Sequence, residues 1–270
     1  MSLPSDLLAS LGLGASCVVL LTAHRLAGAP SGYRRVVQQG ATFFLGLNLM
    51  HAGYWMLQRV VRYCSRRGIS AAAISWLSLG PAAAAAIAAF TGHWGAVAWC
   101  LLGSALLDVL DGAVARATNE MSEAGAVLDS VLDRYAEFIF FVGVFCYYRL
   151  RLPAQLIVLA ALLGSFLVTY STAKAEALGI VPPRGWMKRS DRLTVLILGA
   201  ALAPLSLHWF ETASPPVAWP MLGAMGIIAV LANFSAVLRF MALARSVGAN
   251  DRTAEEHFGV PARTEDLSRR

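Results

Sequence analysis

Residues 108–133 read DVLDGAVARATNEMSEAGAVLDSVLD, and this stretch decides how the rest of the chain is understood. Asp108 and Asp111 lie near the end of one apolar segment, and Asp129 and Asp133 near the start of the next. At about 100° per residue, Asp108, Asp111, Gly112 and Ala115 fall on one helical stripe. Asp129 and Asp133 are four residues apart and share a face, with Gly125 one turn before them. The polar link around 117–124 is short, which predicts an antiparallel helical hairpin with its acidic faces turned toward each other.

Carboxylates inside apolar helices need a partner. A charged residue at the centre of a membrane helix costs about 2.5–3.5 kcal/mol on insertion scales, and less toward the ends. Pairing with Arg116 or Arg134 is one solution. The other is a divalent cation. Carboxylate oxygens select hard ions, Mg2+, Mn2+ or Ca2+, over softer metals. Four carboxylates balance two divalent ions, and a pair of ions about 3.5–4 Å apart suits phosphoryl chemistry. Gly112 and Ala115 leave room for a bulky ligand beside the acids. Arg116, at the membrane edge, is placed to pair with a diphosphate, and Ser122 to hydrogen-bond the same ligand.

Composition sets the surroundings. Of 270 residues 57% are hydrophobic and 14% charged, against about a quarter charged in a soluble domain. The mean hydropathy is +0.61. Six apolar stretches, 70–91, 95–117, 125–147, 154–174, 191–210 and 217–241, are long enough to cross the bilayer, at about 20 residues for about 30 Å. The expected fold is all-α: a polytopic membrane bundle with six core transmembrane helices. A further apolar helix at 5–23 and an amphipathic interfacial helix ending near residue 66 precede them. Residues 5–23 also fit a signal peptide, but no basic residue precedes them and no convincing cleavage site follows. The expected division is an N-terminal membrane and juxtamembrane extension over 1–66, the six-helix core over 67–245, and a polar tail over 246–270.

The net charge of +6 comes from 22 Lys and Arg, of which only Lys174 and Lys188 are lysines. No nucleic-acid motif accompanies them, so headgroup contact and topology explain the excess, and no nucleic-acid partner is expected. Placing residue 68 in the cytoplasm leaves Arg149 and Arg151 outside and the other cations inside, provided that residues 24–38 are inside too. That holds if 5–23 cross once and 40–58 do not. The active site then lies on the cytoplasmic face of an inner membrane. The four cysteines form no CxxC pair and read as small apolar residues. His24, His51, His93, His208 and His257 form no ligand cluster and read as interfacial or solvated. Trp76, Trp94, Trp99, Trp186 and Trp209 read as interface anchors, Gly103 as an aid to helix packing, and Ser190 as the cap of the helix it opens.

The stretch 108–133 resembles the signature of the CDP-alcohol phosphotransferase family, D-x2-D-G-x2-A-R-x8-G-x3-D-x3-D. Asp108, Asp111, Gly112, Ala115, Arg116, Gly125, Asp129 and Asp133 fill every fixed position. The resemblance implies a transferase of phospholipid biosynthesis that takes a CDP-linked lipid donor, passes its phosphatidyl-type group to a polar alcohol and releases CMP. It implies that Asp108, Asp111, Asp129 and Asp133 hold two Mg2+ or Mn2+ ions. Asp129 would be shared between them, and Asp133 would also accept the proton of the incoming hydroxyl. Gly112, Arg116 and Ser122 match positions that contact the CDP group, with Ala115 and Gly125 beside them. It also makes a homodimer plausible.

Two further segments bear on the acceptor. Gly68-Ile69-Ser70-Ala71-Ala72-Ala73-Ile74-Ser75 stands where the family has G-[IV]-[TS]-P-N-x-[LIV]-T, with Ala71 and Ala72 replacing Pro and Asn. Tyr170–Gly179 and Lys188–Leu193 resemble the Y-x3-[KR]-A-E-[AS]-x-G and E-R-x-[DE]-R-L segments of phosphatidylinositol-phosphate and archaetidylinositol-phosphate synthases, with Lys188 in place of Glu. Lys174, Lys188, Arg189 and Arg192 are the candidate acceptor-binding cations, suited to an alcohol that already carries phosphate. Inositol phosphate is the leading acceptor, and glycerol 3-phosphate or another alcohol the alternative. Glu137, one turn beyond Asp133, either extends the site or pairs with an arginine. A divalent-cation transporter would also place aspartates in the membrane, but it gives no reason for Gly112, Arg116 and Gly125 at fixed spacing. A non-catalytic scaffold gives none for keeping all four carboxylates.

Overall fold

The computed structural model describes residues 3–28, 33, 46–181, 187–210 and 216–258. Among them all regular structure is helical: α1 Leu3–Leu26, α2 Gly46–Arg66, α3 Ala71–Thr91, α4 Trp94–Thr118, α5 Glu123–Tyr147, α6 Leu152–Ala177, α7 Arg189–Trp209 and α8 Trp219–Phe258. Six of them, α1, α3, α4, α6, α7 and the Trp219–Gly248 part of α8, are long and apolar enough to cross a membrane. At 25 residues α5 has the length as well, but it carries Glu123, Asp129, Asp133, Arg134 and Glu137. The chain is a polytopic membrane bundle, with α3–α8 as its six-helix core and α1 and α2 before it.

Local chemistry sets the joints. Ser70 caps α3, its Oγ accepting from the Ala73 amide at 3.3 Å, and Gly92 ends that helix at φ 83°. Asn119 closes α4 at φ 56°, a left-handed conformation that asparagine tolerates better than most residues. Ser122 then caps α5, its Oγ accepting from the Gly125 amide at 3.0 Å. Only Asn119–Ser122 separate α4 from α5, so the two helices must turn back on each other.

Antiparallel packing sorts the helix ends. Ser70, Asn119, Ser122, Lys174 and Arg189 lie at one end of the bundle, called here the near end; Gly92, His93, Tyr148 and Trp219 lie at the far end. Helix α1 runs from far to near: Asp6 meets His93 at 3.4 Å, while His24 stacks edge-on against Trp55 of α2. Helix α2 stays at the near end, where Leu57 and Cys64 pack with Ile74, Leu110 and Val114.

The core is built from small residues, the usual means of close helix approach in membranes. Ala85, Ala89, Ala161, Ala200, Ala203 and Ala232 are fully buried. A methyl on Gly143 would collide with the Ala86 backbone, and one on Gly199 would lie 2.6 Å from the Ala224 Cβ. Gly103, expected to aid packing, is looser: an added Cβ meets only the Pro81 Cβ at 3.9 Å. Leu77, Ile87, Val142, Leu163, Val230 and Val237 point outward, as a hydrocarbon solvent requires.

Several local expectations are corrected. Trp94 is no interface anchor: it is buried at the far end, edge-on to Tyr147 at 4.9 Å. His24 and His51 are buried rather than solvated, each beside aromatic rings. Lys188, not Ser190, occupies the cap of α7, and Asp191 accepts the Lys188 amide at 3.0 Å. Helix α8 continues to Phe258, past the apolar stretch expected to end near 241, although the run after Ala244 includes Gly248, Asn250 and Asp251. Trp186, Arg34, Arg35 and the end of the tail, 259–270, lie outside the described residues, as does the side chain of His257.

Candidate active site

The α4–α5 hairpin brings three of the four aspartates together. One carboxylate oxygen from each of Asp108, Asp129 and Asp133 lies within 4.8 Å of the other two. Asp111 is not one of that trio. Its Oδ2 accepts from Ser75 Oγ of α3 at 2.7 Å, and its Oδ1 receives the Gly112 amide. The helical stripe explains the split: Asp111 lies one turn further along α4 than Asp108, and there α3 is the neighbour. Asp111 is buried, whereas the trio is partly open to the near end.

The trio's counter-ion comes from an unexpected place. Arg189, the first residue of α7, reaches Asp108 Oδ1 at 2.8 Å with Nη1 and Asp133 Oδ1 at 2.5 Å with Nη2. Arg116 is exposed at the end of α4. Arg134 turns to Glu137 at 2.5 Å and to Thr169 Oγ1 of α6 at 2.9 Å. A guanidinium spanning two carboxylates shows that the cluster is arranged around positive charge. Three hard oxygen donors this close fit a divalent cation.

Behind Asp133 a cavity opens between α3, α4, α5 and α7, lined by Ser104, Asp133, Glu137, Phe140, Arg189 and Arg192 among others. Arg192 is 2% exposed, and its Nε donates to Glu137 Oε1 at 3.3 Å. Of the four candidate acceptor cations, Arg189 and Arg192 therefore converge on the acids and this cavity. Lys174 and Lys188 are exposed at the near end and do not line it. The candidate donor-binding positions Gly112, Ala115, Arg116, Ser122 and Gly125 line the mouth of the hairpin, Gly112 and Ala115 half-buried and the others exposed.

Two residues escaped the sequence reading. Ser75 anchors Asp111; its signal was the final position of the Gly68–Ser75 segment, where attention went to the missing Pro and Asn. Arg239 of α8 donates to Thr172 Oγ1 of α6 at 2.7 Å. A lone arginine late in an apolar run was its only mark.

A family model described as CDP-alcohol phosphatidyltransferase matches residues 69–232. A phosphatidylinositol phosphate synthase of Mycobacteroides abscessus is 32% identical over 189 residues, 68% of this chain and 77% of the relative. An archaetidylinositol phosphate synthase of Aeropyrum pernix is 34% identical over 145 residues, 53% of this chain and 64% of the relative. The crystal structure of Mycobacterium tuberculosis phosphatidylinositol phosphate synthase with CDP-DAG bound superposes with a TM-score of 0.60 at 26% identity, covering 68% of this chain and 92% of that one. The structure of the same enzyme with manganese and citrate gives 0.59 at 27%, covering 68% and 87%. An acidic hairpin inside a six-helix membrane core, matched across 164 residues, has one reading: the chain belongs to the CDP-alcohol phosphatidyltransferase family.

Proposed function

We propose that this membrane enzyme transfers the phosphatidyl group of CDP-diacylglycerol to a hydroxyl of inositol phosphate, releasing CMP. The observation that carries the reading is the adjacency of two unlike sites: the carboxylate trio Asp108, Asp129 and Asp133, and the buried guanidinium of Arg192 across one cavity. The first suits the diphosphate of a CDP-linked donor, the second an acceptor that carries phosphate. Phosphatidylinositol phosphate and archaetidylinositol phosphate synthases among the relatives support the choice of acceptor.

In this reading Asp133 takes the proton as the acceptor oxygen attacks the phosphorus next to the lipid. The new P–O bond forms as the bond to the CMP oxygen breaks, and CMP leaves with that electron pair. Asp108, Asp111, Asp129 and Asp133 would hold two Mg2+ or Mn2+ ions, which would supply positive charge to the phosphate oxygens. Asp111, fixed by Ser75, would serve from one side of the site. Gly112, Ala115 and Gly125 leave space for the donor, while Arg116 and Ser122 bind its CDP group. Arg192 and Arg189, with Lys174 and Lys188 at the entrance, gather the acceptor. Residues 67–245 form the catalytic core, with 1–66 as an extension and 246–270 as a polar tail. The near end faces the cytoplasm, and the enzyme works as a homodimer.

The test is reconstitution with CDP-diacylglycerol and Mg2+ or Mn2+, a panel of alcohols and phosphorylated alcohols, and measurement of CMP and lipid product. Inositol phosphate should give both products, and Asp133→Asn should abolish turnover while donor binding persists. A guanidinium recognises phosphate rather than the ring attached to it, so glycerol 3-phosphate is the competing acceptor in the panel. Metal flux without CMP would instead mark a cation transporter, and near-normal turnover of Asp133→Asn would remove the base assignment.

A further inference from the structure

Glu137 has two arginine partners on different helices and stands at the wall of the cavity. Its Oε2 accepts from Arg134 Nη1 at 2.5 Å, and its Oε1 from Arg192 Nε at 3.3 Å. Arg134 is in turn tied to Thr169 of α6 at 2.9 Å. The three charged groups thus join α5, α6 and α7 at one level of the bundle. Glu137 and Asp133 are four residues apart on α5, so they face the same cavity one turn from each other.

The arrangement leaves something over. Glu137 divides its two oxygens between two guanidiniums. Arg192 Nη2 is buried and makes no hydrogen bond, although a buried donor without a partner is unfavourable by about 1–3 kcal/mol. An arginine held by Nε alone keeps its terminal nitrogens aimed, and a guanidinium pairs two of its N–H groups with phosphate oxygens. Here the carboxylate grips one side only.

We propose that Glu137 is a positioning residue for the phosphate of the acceptor. It orients Arg192 through Nε so that the side chain stands at the wall of the cavity that Asp133 also lines, and it holds Arg134 against Thr169. The inference rests on the reading of a phosphorylated acceptor and assigns its recognition to a three-residue unit rather than to one arginine.

Steady-state kinetics of the full-length enzyme in CDP-diacylglycerol vesicles test it, with inositol phosphate, glycerol 3-phosphate and unphosphorylated inositol as acceptors. Glu137→Gln should raise KM for the phosphorylated acceptor about tenfold, equivalent to about 1.4 kcal/mol. Its kcat and its KM for CDP-diacylglycerol should stay near the wild-type values. Glu137→Asp should recover most of the loss, since it keeps the charge and shortens the reach by one methylene. If Glu137→Gln does not fold, Glu137→Asp alone decides: a small rise confined to the acceptor KM supports the proposal. A fall in kcat or a rise in both KM values together, or no change in acceptor KM, overturns it in favour of a purely structural bridge. Wild-type enzyme that uses only an unphosphorylated alcohol would overturn the reading of the acceptor and the proposal with it. A phosphorylated acceptor used equally well by Glu137→Gln would overturn the proposal alone.

Discussion

Asp108, Asp129 and Asp133 bring three carboxylates within 4.8 Å, and Arg189 supplies one positive charge to them. That charge competes with any cation for the same oxygens. Removing it should strengthen metal binding: Arg189→Gln is expected to bind Mn2+ about tenfold more tightly, about 1.4 kcal/mol, as read by the fall in free-ion electron paramagnetic resonance signal during titration. Weaker Mn2+ binding would show instead that Arg189 organises the carboxylates. The aspartates were legible in the sequence because helical periodicity and a short link fix their faces. Arg189 was not legible as their partner. It lies 81 residues from Asp108, and only the packing of α7 on α4 and α5 decides which cation arrives. The same holds for Ser75, whose bond to Asp111 depends on where α3 crosses α4.

At the scale of helices, apolar length and turn chemistry located the core elements to within a few residues at most ends. The stretch 70–91 is Ala71–Thr91, and 125–147 is Glu123–Tyr147. The C-terminal extension of α8 was missed because neither apolar length nor helix propensity marks the run after Ala244. Interhelical contacts were not legible, since a glycine looks the same whether it faces lipid or a neighbouring backbone. Gly143 of α5 lies directly against Ala86 of α3, whereas Gly103 has room. Gly143→Ala should therefore destabilise the protein by about 1–3 kcal/mol through overpacking, and Gly103→Ala should be close to neutral. Unfolding of both variants in detergent micelles checks the contrast, and equal effects would contradict the close α3–α5 approach. Because α5 carries Asp129 and Asp133, Gly143→Ala should also lower turnover.

Across the whole molecule, charge is divided between the two ends. Arg59, Arg62, Arg66, Arg67, Arg116, Lys174 and Lys188 gather at the near end, and Arg149 and Arg151 mark the far one. The positive-inside tendency predicts that the near end faces the cytoplasm. In a cysteine-free background, Arg149→Cys should react with a membrane-impermeant thiol reagent on intact cells, and Glu120→Cys only after permeabilisation. The reverse pattern would invert the orientation. The path of α1 from Asp6 at His93 to His24 at Trp55 agrees with a single crossing before the core, while α2 stays at one end. The four-residue turn Asn119–Ser122 has a consequence of another kind. It confines the four aspartates to one compact hairpin, whereas Arg192 and the Thr169 anchor of Arg134 are contributed by α7 and α6. In the proposed reading, the chemistry rests on that hairpin, and recognition of the alcohol draws in addition on α6 and α7. Descendants of such a scaffold can drift toward new headgroups by altering α6 and α7 while inheriting the bond-making apparatus untouched.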